Sequence, residues 1–390
     1  MGRIVSAVVT VDGALLGTVG PFAVEAPWWS EAASVVGRLE DALGVAVFVL
    51  RLLRVEGGDG GRDGHVTYHA EALERPAGTW APGAVDHAAL VAPHALRSPW
   101  ARIDGLRELL GWASGALAAA GRPVTGAPEQ RRTWNLAGLF RLPTAYGPVW
   151  LKATPGFATD EAAVITAFAQ ADPGLVPAVV AAGERRVLLD HLPGEDCWDA
   201  APGAITSVIG RFVAAQAELA SRRPPWLPDR RTPVITGKVL RLLDHVEGLT
   251  AGERAAARDL VGRWPELDRC GLPDTVVHGD FHPGNWRCDG GPPAVVDFAD
   301  AHYGNPVLDG LRAYDYLPEA KRPVAARAWV DAWEARWPGA DPARALDVAA
   351  PLAHLAYAVR YQEFLDGIEP AERVYHHDDP IGVIRAALTL

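Results

Sequence analysis

Two periodicities divide the chain. Up to about residue 92, apolar residues run continuously or alternate as in strands, and farther on they recur mostly at helical spacing. Ile4, Val5, Ala7, Val8, Val9 and Val11 predict a buried strand, and a short second strand follows near Ala14 to Val19. Val35, Val36, Leu39 and Leu43 share one face of a helix that Ser30 opens as N-cap, with Glu31 behind it, and that Gly44 closes. Val45 to Leu53 and His65 to Leu73 complete a small α+β unit over residues 1–92. Proline-containing residues 92–99 lead into a helix over Ile103 to Ala120, stopped by Gly121 and Pro123. Trp134 to Leu142 and Val149 to Ala153 are strand-like and joined by a hairpin composition, and Asp160 caps a helix over Glu161 to Ala169. The apolar run Val187-Leu188-Leu189 ends a second segment, 93–192, and 193–390 is mainly helical apart from two short strands between about 275 and 298.

Composition narrows the class. Of 390 residues, 49% are apolar and 22% charged, and the 40 glycines and 32 prolines follow no repeat, so the chain reads as a folded soluble protein. A formal charge of -11 repels a phosphodiester backbone and argues against nucleic acid as partner. Cys197, Cys270 and Cys288 are far apart, which argues against a disulfide framework or thiolate zinc site and fits a reducing cytosol. No run approaches the length of a membrane span. Met1 to Ser6 matches the N-myristoylation pattern formally, but its apolar residues belong to the first strand. Gly57 to Gly64 lacks the G-K-[ST] of a phosphate loop and reads as a hairpin connection. Gly37 to Val45 faintly resembles the Nudix box, yet most of the carboxylates that such chemistry needs are missing, and the unit receives no chemistry.

Chemistry concentrates in Val276-Val277-His278-Gly279-Asp280-Phe281-His282-Pro283-Gly284-Asn285, followed by Val295-Val296-Asp297-Phe298-Ala299. Two apolar strand ends each deliver a carboxylate, with an amide five residues after the first. Asp280, Asn285 and Asp297 can therefore converge at one edge of a small sheet. Such an oxygen set suits Mg²⁺, which takes one or two carboxylates and leaves its other positions to water and phosphates.

The first run resembles the catalytic loop H-G-D-x-x-x-x-N of aminoglycoside phosphotransferases and the related choline and sugar kinases. Asp297-Phe298-Ala299 is similar to the D-F-G of protein kinases, and Gly304-Asn305-Pro306-Val307-Leu308-Asp309 to the family's G-[DN]-P-x-x-D. The resemblance covers about residues 100–390 and implies an α+β, protein-kinase-like two-lobed fold, to which the pattern of residues 1–92 adds an extra N-terminal α+β domain. By the same resemblance, Asp280 orients the acceptor hydroxyl and takes its proton, and Asn285 and Asp297 hold Mg²⁺. Lys152 neutralises the nucleotide phosphates with Glu161 as its partner, and backbone groups of Leu189 and His191 meet the nucleobase. ATP or GTP is the implied co-substrate. The implied acceptor is an aminoglycoside, amino sugar or similar small molecule.

The sequence departs from that pattern in having no G-x-G-x-x-G before Lys152, so residues 126–132 are expected to cover the phosphates. His278 is expected to brace the loop, and His282 to be a surface or loop histidine. Trp329, Trp333 and Trp337 read as core packing. The acids Glu363, Asp366, Glu369, Glu372, Asp378 and Asp379 read first as a solvated face and second as an acidic acceptor pocket. Two other functional readings remain. Asp280-Phe281-His282 mimics the D-x-H of metallophosphoesterases, and an inactive nucleotide-binding module is the second.

Overall fold

Continuous apolar runs belong to strands covered on both faces. The computed structural model describes residues 2–78, 86–220 and 222–390. Met1 and residues 79–85, which the expected N-terminal unit includes, lie outside the described residues. Strands β1 (Arg3–Val11), β2 (Ala14–Val24), β3 (Val47–Glu56) and β4 (His65–Ala72) pair in the order β2-β1-β4-β3, with β1 parallel to β4. Helix α1 (Ala33–Leu43) seals one face, where Val35 and Leu39 pack with Val5, Val9, Val49 and Tyr68. From the other face, Phe48 and Leu50 join Trp100, Leu106, Phe140 and Leu151 in a second core.

That second core joins the N-terminal sheet to another one. After α2 (His87–Val91), helix α3 (Ile103–Ala119) supports a five-stranded sheet. Its strands are β5 (Glu129–Thr133), β6 (Gly138–Leu142), β7 (Val149–Ala153), β8 (Val179–Gly183) and β9 (Arg186–Asp190), in the order β5-β6-β7-β9-β8. The Gln130 side chain accepts the Val49 N–H at 2.8 Å and donates to the Val49 carbonyl at 2.7 Å, so β3 and β5 are tied by an amide acting as a peptide group. Residues 1–157, 180–189 and 364–377 together form one compact unit.

Several local expectations change for physical reasons. The helix begins at Ala33 rather than after Ser30, because the Ser30 carbonyl accepts the Thr133 N–H and the Glu31 carboxylate caps Ala33. Strand β2 runs on past Val19 to Val24 through Gly20-Pro21, since an edge strand tolerates a proline that lacks a ladder donor. Residues 129–132, expected within the covering loop, belong with Thr133 to strand β5, and the turn joining β5 to β6 is 134–137. Asp160 does precede its helix, but its side chain makes no capping hydrogen bond.

The unit also contains residues 364–377. Glu369 pairs with Arg97 at 2.7 Å and with Arg51 at 3.5 Å, while Glu372 is buried. Burial, reinforced by Glu369, pushes the Glu372 carboxyl up to about 8. Because its folded value lies above its unfolded one, stability is fully present below the ordinary carboxyl range and is lost as pH rises toward 8. Thermal melts should therefore show stability declining across this window in the wild type, and Glu372→Gln should flatten the decline. An unchanged slope would refute the assignment.

Residues 158–179, 190–363 and 378–390 form the second unit. It contains α4 (Glu161–Ala171), β10 (Glu195–Asp196), α5 (Pro202–Glu218), α6 (Thr232–His245), α7 (Ala251–Val261) and α8 (Trp264–Arg269). Strands β11 (Thr275–Val277), β12 (Trp286–Cys288), β13 (Ala294–Val295) and β14 (His302–Gly304) follow. Helices α9 (Val307–Tyr316), α10 (Arg322–Arg336), α11 (Pro342–Gly367) and α12 (Asp379–Ala387) complete it, with the last residues of α11 belonging to the first unit. Phe212 of α5 stacks on Phe168 at 4.9 Å and on Phe281 at 4.2 Å, fixing the segment after β11 to α4 and α5. Trp329 and Trp333 are buried core residues, as their spacing predicts. Among the described residues no helix is long and apolar enough to cross a membrane.

Candidate active site

Strand β11 pairs with β14, whereas β13 pairs with β12, so the two carboxylates leave separate ladders rather than one sheet edge. Backbone hydrogen bonds close the gap between them. The Val296 N–H donates to the Asn285 carbonyl at 2.9 Å, and the Val296 carbonyl accepts from His278 Nε2 at 3.0 Å. Asp280, Asn285 and Asp297 are thereby held in one neighbourhood.

His278 is buried, and burial lowers its pKa and keeps it neutral. Its Nδ1 accepts the Asp280 N–H at 3.1 Å, which fixes the tautomer that donates from Nε2. The expected bracing role is what the geometry gives. Asp309, near the start of α9, accepts the N–H groups of His278 and Gly279 at 2.8 and 3.0 Å and a third bond from Gln216 at 2.8 Å. Burial pushes its carboxyl up to about 7 against these three donors. Gly279 has φ +87°, and a Cβ there would sit 2.4 Å from the Asp300 carbonyl oxygen.

The Asp280 carboxylate is surrounded by donors. Arg312 of α9 reaches Oδ1 through Nε at 2.8 Å and Nη2 at 2.7 Å. At Oδ2, Asn285 Nδ2 donates at 3.1 Å and His282 Nε2 lies at 3.2 Å. Because His282 Nδ1 accepts the Gly284 N–H, Nε2 carries the proton and donates. Burial alone would raise the Asp280 carboxyl, but Arg312 and then His282 outweigh it and hold it well below the usual carboxylate range.

Asp297 is exposed and has φ +69°, a left-handed conformation that is costly for a residue with a Cβ. Such strain persists only where neighbours impose it. Phe298, fully buried, packs on His278 at 4.5 Å and on Phe168 at 5.2 Å. Thr159 binds the backbone of Ala299 and Ala301, anchoring the start of α4 to this segment. Glu161, the first residue of α4, is therefore in the same unit as Asp280, Asn285 and Asp297. Lys152 is a buried residue of β7 opposite Leu139, and Leu189 lies on β9; both belong to the first unit. His191 follows β9 directly and is exposed.

Residues 149–346, half of the chain, match the model of the phosphotransferase enzyme family. The chain belongs to this family. It is an ATP-dependent phosphotransferase that uses an alcohol group as acceptor. Similar solved structures include a Thermobifida fusca protein assigned as a fructosamine-3-kinase, with TM-score 0.53 and 20% identity, covering 71% of this chain and 98% of that one. A choline kinase from Streptococcus pneumoniae aligns with TM-score 0.53 and 9% identity over 72% of this chain and 98% of its own. A choline/ethanolamine kinase family protein from Mesorhizobium loti aligns with TM-score 0.50 and 17% identity over 72% and 95%. No curated protein matches. At these identities the likeness establishes the fold, α+β and protein-kinase-like.

In this phosphotransferase the donor set fits a divalent cation. Asn285 commits Nδ2 to the Asp280 carboxylate and carbonyl, so Oδ1 is the atom with which it would ligate a cation. The exposed Asp297 supplies a carboxylate. Among the described residues no group of three or more His, Cys, Asp or Glu is placed to hold a metal.

Sequence reasoning missed the surroundings of Asp280. His282, in the loop before Pro283, stacks on both Trp198 and Tyr316 and donates to Asp280, with no free lone pair for the D-x-H metal pair of a phosphoesterase. Arg312 has its guanidinium over Tyr316 at 4.4 Å and over Tyr357 at 4.7 Å. Asp300 pairs with Arg360. Nor do the C-terminal acids form one face. Glu363 is bound by Arg230, Lys238 and Arg360, while Glu369 and Glu372 belong to the first unit.

Proposed function

We propose that this protein transfers the γ-phosphoryl group of ATP to a hydroxyl of a small molecule, an amino sugar or similar natural product. What carries the reading is the Asp280 carboxylate fixed at the end of the H-G-D loop, beside Asn285 and Asp297. Phosphoryl transfer asks the protein mainly to position groups and to neutralise charge. Asp280 orients the acceptor hydroxyl and takes its proton late, since its depressed basicity suits orientation better than ground-state deprotonation. Asn285 and Asp297 would hold Mg²⁺, which supplies charge neutralisation on the nucleotide phosphates. Lys152 grips those phosphates with Glu161 as its partner, and the backbone at Leu189 and His191 meets the base.

Incubation with Mg·ATP and a panel of amino sugars, neutral glycosides and amino alcohols tests this. Acceptor-dependent ADP release should accompany the mass gain of one phosphoryl group on the acceptor. Nucleotide binding without turnover on any acceptor would instead favour an inactive binding module. Asn285→Ala should raise the Mg²⁺ concentration needed for half-maximal rate by about tenfold or more, as loss of a metal ligand does. An unchanged Mg²⁺ requirement would remove Asn285 from the metal site.

A further inference from the structure

Three rings stack beside the reacting carboxylate. Trp198, two residues past β10, lies 5.3 Å from the His282 ring at 25°, and His282 lies 4.7 Å from Tyr316 at 17°. Trp198 and Tyr316 are 6.2 Å apart by their centroids. Their relative exposures are 39% each. A Cβ on Gly284 would sit 2.6 Å from Trp198 Cζ2, so the indole rests against the catalytic loop itself. Tyr316 is backed by the Arg312 guanidinium, which in turn is held by Tyr357 and Asp280.

An exposed aromatic surface of this kind is not explained by the core, which holds Trp329 and Trp333 elsewhere in the same unit. Three of the carboxylates around the loop are already committed: Asp280 to Arg312, Asp300 to Arg360, and Glu363 to Arg230, Lys238 and Arg360. Beside them the exposed indole of Trp198 offers an acceptor a ring face next to the loop.

We propose that the exposed indole of Trp198 forms the acceptor platform, taking a saturated hydroxyl-bearing ring by its C–H face and presenting one ring hydroxyl to Asp280. This rests on the kinase reading of the same site. The electron-rich aromatic face attracts the weakly positive C–H face of a pyranose, and an indole already resting against His282 and Gly284 carries little ordering cost. His282 separates the platform from Asp280 and sets the offset between the stacked ring and the accepting oxygen.

The test compares wild type, Trp198→Ala and Trp198→Phe, each with ADP present. Binding of a neutral methyl glucoside, a methyl glucosaminide and acyclic choline is followed by saturation-transfer NMR and calorimetry. Both glycosides should bind wild type, Trp198→Ala should weaken them by about tenfold, and Trp198→Phe should restore most of the loss. ADP affinity should stay the same in all three proteins. Glycosides that fail to bind wild type, equal binding to Trp198→Ala, binding of choline alone, or a matching loss of ADP affinity would each overturn the platform. The kinase reading fails separately, when acceptor-dependent ADP release is absent or survives Asp280→Asn.

Discussion

Asp280→Asn is expected to lower turnover by about 10²–10⁴-fold while ATP affinity stays nearly constant. The variant keeps the shape of the side chain and removes both the proton acceptor and the negative charge facing Arg312. Its amide can present a carbonyl oxygen to Arg312 or to the Asn285 and His282 donors, but its NH₂ then meets donors on the other side. Arg312 is mostly enclosed by Tyr316 and Tyr357, so the variant also leaves a guanidinium with a weakened counter-charge. A lower melting temperature should accompany the loss of turnover. Steady-state rates at saturating Mg·ATP, together with calorimetric ATP binding, separate the two effects. Turnover within a few-fold of wild type would remove Asp280 from the reaction.

Asp309→Ala should cost the most stability in the second unit. Its carboxylate accepts two backbone N–H groups of the catalytic loop and the Gln216 amide, all buried. Each donor left without an acceptor costs about 1–3 kcal/mol, so a total loss of about 3 kcal/mol or more is expected. Turnover should fall as well, because Gly279 loses the bond that holds its left-handed backbone next to Asp280. Asp309→Asn should be intermediate, since its oxygen can serve one or two of the donors while its NH₂ faces another. Denaturant unfolding of both variants checks the order. Equal stability of wild type and alanine variant would show that water replaces the carboxylate.

The sequence made the catalytic loop readable because its residues are contiguous and their types leave few alternatives. His278, Gly279, Asp280 and Asn285 sit within eight positions, and Asp297 ends the next apolar run but one. The surroundings of Asp280 were not readable in the same way. Trp198 comes from a short segment after β10, and Arg312 and Tyr316 from α9, so no local spacing joins them to His282. The C-terminal acids misled for a related reason: a run of like charges shows nothing of the arginines that folding brings from residues 51, 97, 230 and 360. Among the early elements, β1 was clear from its high density of β-branched apolar residues, whereas the end of β2 was hidden by Pro21. Strand β5 was hidden because its exposed positions carry Glu129, Arg131 and Arg132, and its two inward residues are polar.

Those two inward residues, Gln130 and Thr133, bear on how the protein could be shortened. Each bonds to the backbone of β3, at Val49 and Leu50, and Phe48 and Leu50 fill the space beside Phe140 and Trp100. A chain begun at residue 93 would expose the apolar flank of the sheet that carries Lys152 and leave the Gln130 amide without its peptide partner. Such a fragment should aggregate rather than behave as a minimal enzyme. Ancestors or relatives lacking this segment would therefore need a different side chain at position 130 and a smaller or more polar flank.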